Sequence, residues 1–348
     1  MIAASPNRTD RALAAQLFKR AGEELRSRRP HQAIPLFRGA EDSGYDADSC
    51  AAGRWNCHML LGDFEAAWEE SDEIARRGNP DPHRFWNGQS FDGKRVLVRC
   101  LHGLGDTIQF IRYAPLVRRE AKTLIIEAQP RLRPLMECCG LAGSIITWGE
   151  PEPEWDLQIE VMELPRIFRA TVSSIPASVP YLRIPAASRL RETRHVRVGL
   201  VWASGGFNPA RSIPLKTLSG ICSAPGIEFC SFQAGPERCE LAACPVPIED
   251  WDEKTNSVLE AARSLADIDL LITVDTMMAH LAGALGRPVW TLLPYDADWR
   301  WMLNRSDSPW YPSMRLFRQA SREDWNSVVK DVRNSLEGYT GAGPGRVK

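Results

Sequence analysis

Three features are scarce or missing in this chain of 348 residues, and each excludes a class of protein. No apolar run reaches the roughly 18–20 residues of a membrane-spanning helix, so no such helix is expected. The formal net charge is only -1, so no cationic excess points to nucleic acid or to an anionic membrane. The nine cysteines include no CxxC pair, which argues against a zinc site and a disulfide framework.

The N-terminal segment and the scattered cysteines bear on localisation. The first residues, MIAASPNRTDRALAAQLF, contain no uninterrupted apolar stretch after their charges, so no signal peptide is expected. Unpaired cysteines are typical of a reducing compartment. These observations predict a cytoplasmic protein. Its composition, 44% hydrophobic and 25% charged, is that of an ordinary globular chain with room for two or three domains.

The most informative stretch is a strand, a helix and a second strand within residues 265–294. The run 270–274 is short, apolar and β-branched, as in a strand buried on both faces of a parallel sheet. Asp275 and Thr276 follow as candidate helix caps, and Gly286 is placed to end the helix 277–285. The start of such a helix favours anions, phosphate above all. An ordinary buried unit with a helix cap is the alternative.

Residues 1–85 have a helical pattern and are predicted to form a region like a tetratricopeptide repeat. Ala33 and Ala67 lie 34 residues apart, which is the period of that repeat. Gly62 suits the turn between two helices, although the first copy has Arg28-Arg29-Pro30 at this point. Stacked helix pairs can form a surface for a protein partner. A helical cap on the next domain is an equal alternative.

Strands and helices alternate in two further regions, which predicts α/β architecture with doubly wound sheets. Residues 93–185 form a first Rossmann-like domain, and a proline-rich stretch near 177–194 separates it from a second, 195–336. The residues from 338 to 348 are rich in glycine and basic side chains, and we expect them to be disordered.

The first Rossmann-like half offers a glycine turn that ends in a carboxylate. Gly103, Gly105 and Thr107 form this candidate acceptor-side loop around Asp106. Glycines allow close approach of a ligand, and a carboxylate at a strand end can take a proton from an attacking hydroxyl. The alternative for Asp106 is a helix cap. The motif is not a full GxGxxG, so a dinucleotide site is only weakly indicated.

The second half offers hydroxyl, backbone and guanidinium donors after its first strand. Their positions are Trp202, Ser204, Gly205, Arg211 and Ser212. Arginine pairs with phosphate through two hydrogen bonds. A surface charge is the alternative for Arg211.

His280 lies four residues after Thr276, on the same helical face. It could bind phosphate or a sugar hydroxyl, or be a core histidine.

Two DxD sequences and an aromatic cluster are weaker signals. Asp267 with Asp269, and Asp296 with Asp298, match the metal-binding DxD of some sugar transferases, but capping and turn roles are common for Asp. We therefore expect no metal and no other cofactor. Aromatic side chains between Trp299 and Tyr311 could stack on a base or sugar, although packing is the commoner role.

Four blocks in this order resemble bacterial glycosyltransferases of family 9, the heptosyltransferase-like enzymes, in the subgroup with N-terminal tetratricopeptide repeats. The resemblance covers about residues 50 to 320. The blocks are HGLGDTIQFIRYAPL, VGLVWAS followed by RSIPL, VDTMMAHLAGALGRPVW and DWRWMLNRSDSPWYPSMRLFRQ.

The resemblance implies a GT-B fold, with the acceptor domain first and the nucleotide-sugar donor domain second. It implies an inverting, metal-independent transfer of a sugar, hexose or heptose, to a hydroxyl of a glycan, a lipid-linked glycan or a protein. Asp106 matches the family's base. Asp275, Thr276 and His280 match its donor loop, and Ser204 and Arg211 fall in the blocks beside the donor phosphates.

Two positions depart from the family pattern, and two other functions stay open. Met277 replaces a small residue beside the donor phosphates, and His102 replaces a polar Gln. A bulky Met277 favours the alternative of a non-catalytic interaction protein that keeps the GT-B shell. A nucleotide-sugar epimerase with this fold is the other alternative, although it needs further acid–base residues.

Overall fold

The computed structural model describes residues 8–78, 84–185, 195–206, 208–337 and 339, and the chain forms two compact units. We call one the helical unit and the other the two-sheet unit. The helical unit comprises Met1–Pro82, Arg166–Ile175 and Asp296–Arg305. The two-sheet unit comprises His83–Pro165, Pro176–Tyr295 and Ser306–Lys348, so both predicted Rossmann-like halves fall in it.

The helical unit begins with two consecutive helix pairs. Their helices are α1 (Arg8–Arg26), α2 (Pro30–Asp42), α3 (Ala47–Leu61) and α4 (Phe64–Arg77). Gly62 ends α3 with a φ of 78°, and Asp63 caps α4 by accepting the Ala66 N–H at 3.3 Å. Arg28, 34 residues before Gly62, adopts a similar φ of 59°. The predicted repeat of two helix pairs is therefore visible in the backbone, whereas partner binding stays a prediction.

A buried arginine and two later chain segments complete the helical unit. The Arg54 guanidinium donates to both oxygens of Glu70 at 2.7 Å and to Glu41 at 2.5 Å. The Trp68 indole donates to the Ala170 carbonyl at 2.7 Å, which ties the segment 166–175 to α4. In the same way the Leu303 N–H donates to the carbonyl of Leu60 at 2.9 Å. The unit is thus built from three separate stretches of the chain.

The first sheet of the two-sheet unit has four parallel strands in the order β3-β2-β1-β4. The strands are β1 (Arg95–Arg99), β2 (Thr123–Ala128), β3 (Ser144–Thr147) and β4 (Leu157–Glu160). The helices of this half are α5 (Leu104–Phe110), α6 (Ala114–Glu120), α7 (Arg133–Cys139) and α8 (Leu164–Ile167). Because the strands are parallel, their carboxyl ends share one edge, where β1 leads into α5.

The connection from β3 to β4, residues 148–156, contains no helix and departs from regular alternation. Trp155 packs on a cluster formed by Leu97, Ile125 and Ile146 on one face of the sheet. Along this connection Glu152 pairs with Arg99, while Glu154 and Asp156 pair with Arg95. An extended acidic segment therefore covers a face that a helix usually covers, and it neutralises the arginines of β1.

The second sheet has six parallel strands in the order β10-β9-β8-β5-β6-β7. The strands are β5 (Val196–Val201), β6 (Ile227–Ser231), β7 (Glu249–Asp250), β8 (Leu270–Val274), β9 (Val289–Leu293) and β10 (Met314–Arg318). The helices are α9 (Leu215–Leu218), α10 (Asp252–Thr255), α11 (Val258–Ser264), α12 (Met277–Ala284) and α13 (Trp325–Leu336). The central strand β8 is buried at every position, as its apolar run predicts.

Two predicted boundaries differ from the structure. The helix expected from Ile108 begins at Leu104, because Gly103 is extended and the turn after β1 is the first turn of α5. In the tail expected to be disordered, Tyr339 packs against the Trp290 ring and donates to the Asp269 carbonyl at 3.2 Å. Residues 338 and 340–348 lie outside the described residues.

Across the described ranges, no helix combines the length and the apolar character needed to span a lipid bilayer.

Candidate active site

Asp106 lies in the first turn of α5, directly after β1. Its carboxylate folds back and accepts the Gly103 N–H at 2.9 Å. This contact explains why the helix starts at Leu104, since Gly103 has no side chain with which to cap it. The carboxylate is half-buried, and one hydrogen bond leaves it further lone pairs. Asp106 therefore has a structural contact as well as the capacity to take a proton.

A second carboxyl, Glu160, lies at the end of β4 and is only 1% exposed. It accepts the Met162 N–H at 2.6 Å and faces the Leu101 N–H at 3.5 Å. Burial raises the pKa of the Glu160 carboxyl to about 7, and the negative charges of Glu163 and Asp106 raise it further. The strand ends thus hold two coupled carboxyls, of which the sequence analysis identified only Asp106.

Thr107 is buried beneath the loop and does not line it. Its hydroxyl pairs with the Gln129 side chain at 2.9–3.1 Å, and Gln129 also donates to the His102 carbonyl at 2.7 Å. These bonds connect the turn after β1 to the end of β2. Thr107 therefore fixes the position of the turn, whereas Gly103 is exposed, as predicted for the acceptor side.

Gly105 brings α5 into contact with α12, and so brings the two predicted half-sites together. A Cβ at this position would lie 2.9 Å from Cδ2 of His280 and 3.5 Å from the Cα of Met277. Any larger residue would push the helices apart. The absence of a side chain thus places the imidazole of His280 next to the residue that precedes Asp106.

The start of α12 has the cap that the sequence predicts. The Thr276 hydroxyl accepts the Met278 N–H at 3.2 Å and lies 3.1 Å from the Thr273 hydroxyl. Asp275 is 4% exposed and forms an ion pair with Arg211 at 3.4 Å. The buried carboxylate therefore holds the guanidinium at the N-terminus of α12, and its role is to position Arg211 rather than to line the surface.

The loop after β5 is held by hydrogen bonds among its own residues. The Ser204 N–H donates to the Ser212 hydroxyl at 3.0 Å, and the Ser204 hydroxyl donates to the Asn208 carbonyl at 3.0 Å. Gly205 is exposed, and a Cβ there would meet nothing within 4 Å. Gly205 could therefore offer its backbone to a ligand, while the two serines shape the loop.

Trp202 is fully buried and is a packing residue. Its backbone N–H donates to the Gln233 side chain at 3.0 Å, and its indole donates to Glu240 at 3.3 Å. Glu240 also accepts the Leu215 N–H at 2.8 Å. The sequence analysis missed Gln233 and Glu240, whose polar side chains support the backbone of the loop after β5.

Four further residues that the sequence analysis did not assign to the site are Arg112, Tyr181, Trp310 and Tyr311. All of them contact one another beneath His280, and Tyr311 lies 2.9 Å from its Nδ1 atom. Trp310 and Tyr311 are fully buried, in agreement with the packing role considered for the aromatic cluster. A signal for Arg112 was available, since a charge between the apolar Ile111 and Tyr113 is unusual in a buried helical turn.

The DxD carboxylates make structural contacts. Asp269 accepts the Arg197 N–H at 2.8 Å, and Asp298 accepts the Arg300 N–H at 3.0 Å and its guanidinium at 2.8 Å. Among the residues that the structure describes, no group of three or more His, Cys, Asp or Glu side chains is arranged to hold a metal ion. The need for a metal stays open at this point.

Comparison with solved structures identifies the fold. The structure matches a glycosyl transferase family 9 protein from Veillonella parvula DSM 2008 with a TM-score of 0.50, at 13% identity over 71% of this chain and 91% of that one. The GT-B fold is thereby confirmed. The E. coli ADP-heptose lps heptosyltransferase II has a TM-score of 0.48, at 16% identity over 70% of this chain and 98% of that chain.

Sequence comparison gives one curated relative and no family model. No protein-family model matches the chain. Protein FlbA of Caulobacter vibrioides (strain ATCC 19089 / CIP 103742 / CB 15) is 23% identical over 322 residues, which cover 81% of this chain and 54% of FlbA. The chain thus spans about half the length of this relative. These similarities support the resemblance to family 9 at the level of the fold.

Proposed function

We propose that the protein is a glycosyltransferase that moves a sugar from a nucleoside-diphosphate sugar to an acceptor hydroxyl. The observation that carries this proposal is the contact of Gly105 with α12, which juxtaposes the Asp106 turn and the His280 helix. A proton acceptor and an anion-binding helix start then share one site. The fold shared with a family 9 glycosyl transferase supports the same reading.

The donor diphosphate is proposed to bind at the start of α12. Backbone N–H groups and the helix dipole favour negative charge there, and Arg211 adds a positive charge that Asp275 holds in place. Gly205 contributes an exposed backbone. Met277 is half-buried at the first position of α12, with its Cα next to Gly105. Its backbone therefore belongs to the anion-binding turn.

The reaction proposed is a single displacement with inversion at the anomeric carbon. The acceptor oxygen forms a bond to that carbon while its proton passes to Asp106. The bond from the anomeric carbon to the diphosphate oxygen breaks, and its electron pair leaves with the diphosphate. Arg211 and the N-terminus of α12 stabilise the charge that develops on this leaving group. The acceptor class is a glycan, a lipid-linked glycan or a protein, and heptose is one candidate sugar.

The first test measures diphosphate binding with and without Arg211. Calorimetry with UDP, ADP and GDP should identify a diphosphate that binds the native protein. Arg211→Ala should then weaken that binding about ten- to a hundredfold, because a hydrogen bond to a charged group contributes roughly 1.5–3 kcal/mol. Arg263→Ala, which removes an exposed arginine on α11, is the control and should leave the affinity within twofold. Absence of binding by all three diphosphates would overturn the proposal, and equal affinity in Arg211→Ala would remove Arg211 from the site.

A second test concerns metal. Because Arg211 and a helix terminus are proposed to meet the phosphate charge, transfer should continue at an undiminished rate in excess chelator. The measurement is the initial rate with EDTA and after added magnesium or manganese. Loss of turnover that either ion restores would contradict the metal-independent mechanism and direct attention to Asp296 and Asp298.

A further inference from the structure

A buried cation lies under the proposed site. Arg112, in the turn between α5 and α6, is 2% exposed. Its guanidinium donates to three oxygens: the Gln109 carbonyl at 2.7 Å, the Trp310 carbonyl at 2.6 Å and the Tyr181 hydroxyl at 3.0 Å. A charge buried to this degree is costly unless its contacts are well made. The arginine joins the acceptor half, the connection between the halves and the donor half.

Two tyrosines lie against this guanidinium and lead to His280. Its central carbon is 4.6 Å from the ring centre of Tyr181 and 4.6 Å from that of Tyr311. The two hydroxyls are hydrogen-bonded to each other. The Tyr181 hydroxyl also donates to the Ile108 carbonyl at 2.9 Å, and the Tyr311 hydroxyl lies 2.9 Å from Nδ1 of His280. The contacts form a continuous series from Arg112 to the imidazole.

Counting protons along this series fixes the state of the imidazole. Burial raises the pKa of both tyrosine hydroxyls, so each keeps its single proton at neutral pH. The proton of Tyr181 is used on the Ile108 carbonyl. The bond between the two tyrosines must therefore use the proton of Tyr311. The contact of Tyr311 with His280 then needs a proton on Nδ1, and in a neutral imidazole the lone pair is on Nε2.

The nitrogen with the lone pair is on the edge of the ring that faces α5. A Cβ on Gly105 would lie 2.9 Å from Cδ2 and 3.6 Å from Nε2 of His280. The Cδ2–Nε2 edge is therefore turned toward the residue before Asp106. A lone pair repels a phosphate oxygen and accepts a hydrogen bond from a hydroxyl.

We infer that Arg112, Tyr181 and Tyr311 are positioning residues that keep the proton of His280 on Nδ1, so that Nε2 accepts a hydrogen bond from a hydroxyl of the transferred sugar and not a phosphate contact. The ligand class at this position rests on the proposed function. The tautomer itself does not, because it follows from contacts within the protein. The two statements can therefore be tested separately.

Nitrogen-15 spectra of the histidines test the tautomer without any substrate. In long-range proton–nitrogen correlations of the native protein, His280 should give the pattern of a proton on Nδ1, with its signals assigned by their loss in His280→Gln. Tyr311→Phe removes the acceptor of that proton, so the population with the proton on Nε2 should rise severalfold. Tyr113→Phe is the control, since it removes the same group from a comparably buried ring beside Arg112. A native spectrum with the proton on Nε2 overturns the inference.

Matched ligand pairs test the hydroxyl contact. The probes are UDP with UDP-glucose, ADP with ADP-glucose and GDP with GDP-mannose, in the native protein and in Tyr311→Phe. The variant should bind the sugar nucleotide about five- to tenfold more weakly and the diphosphate within twofold, because a single hydrogen bond to the sugar is lost. Equal weakening for both members of a pair would show a phosphate contact and overturn the inference. If the native protein binds no member of any pair, the proposed function fails and the sugar contact with it, whereas the tautomer is still decided by the spectra.

Discussion

Asp106→Asn should lower the rate of sugar transfer by roughly 10²–10⁴. Asparagine keeps the shape of the side chain and can still accept the Gly103 N–H, but it cannot take a proton from the acceptor. As helix caps the two residues rank alike, so the melting temperature should change little. Diphosphate affinity should also hold, because the proposed phosphate contacts are made by α12 and Arg211. The measurement combines melting temperature, diphosphate affinity and transfer rate on this one variant.

The matched control is Asp324→Asn in the same unit. Asp324 caps α13 by accepting the Ser327 N–H at 3.0 Å, so its replacement tests capping without catalysis. This variant should transfer sugar at the native rate. Full activity in Asp106→Asn would leave Asp106 as a structural residue of the first turn of α5 and end its assignment as the base.

Glu160→Gln should remove a large part of the pH dependence of stability. The pKa of the Glu160 carboxyl rises from the ordinary 4.5 to about 7 in the folded protein, chiefly through burial. The folded state therefore binds this proton more tightly than the unfolded state does. The stabilisation is fully present below pH 4.5 and is lost as the pH rises through 7. Its full size is about 3 kcal/mol, at about 1.4 kcal/mol for each unit of pKa.

Urea unfolding at pH 5 and pH 8 measures this difference. Between these pH values the free energy of unfolding of the native protein should fall relative to that of Glu160→Gln, because only the native side chain becomes a buried charge. Glu137→Gln, at an exposed glutamate of α7, is the control and should follow the native curve. If Glu160→Gln also follows the native curve, Glu160 does not titrate in this range.

The unit from β8 to β9 could be predicted from the sequence almost residue by residue. An unbroken apolar run specifies a strand buried on both faces, Thr276 supplies the cap, and Gly286, with a φ of 67°, ends the segment after α12. All of these signals are local. The same local signals placed Asp106, Arg211 and His280 at the carboxyl ends of parallel strands, where the structure has them.

The remaining parts of the site depend on contacts between distant positions, for which a single sequence carries no pattern. The turn after β1 read as a loop because its glycines hide a helix start, and only the contact of Asp106 with Gly103 defines that start. Arg112, Tyr181 and Tyr311 come from three separate regions and meet only in the folded chain. Burial, which governs the pKa of Glu160, is likewise a property of the assembled sheet.

The make-up of the helical unit limits how evolution and engineering can treat it. Repeat arrays are commonly gained, lost or exchanged as cassettes, because each repeat contacts only its neighbours. Here the array takes Arg166–Ile175 and Asp296–Arg305 from within the α/β part of the chain as its own packing partners. Exchanging only the first 82 residues would leave behind the carbonyl that Trp68 binds and the N–H that Leu60 accepts. The repeats and the two later segments must therefore change together, and a new N-terminal region is heritable here only with matching changes at both of these places.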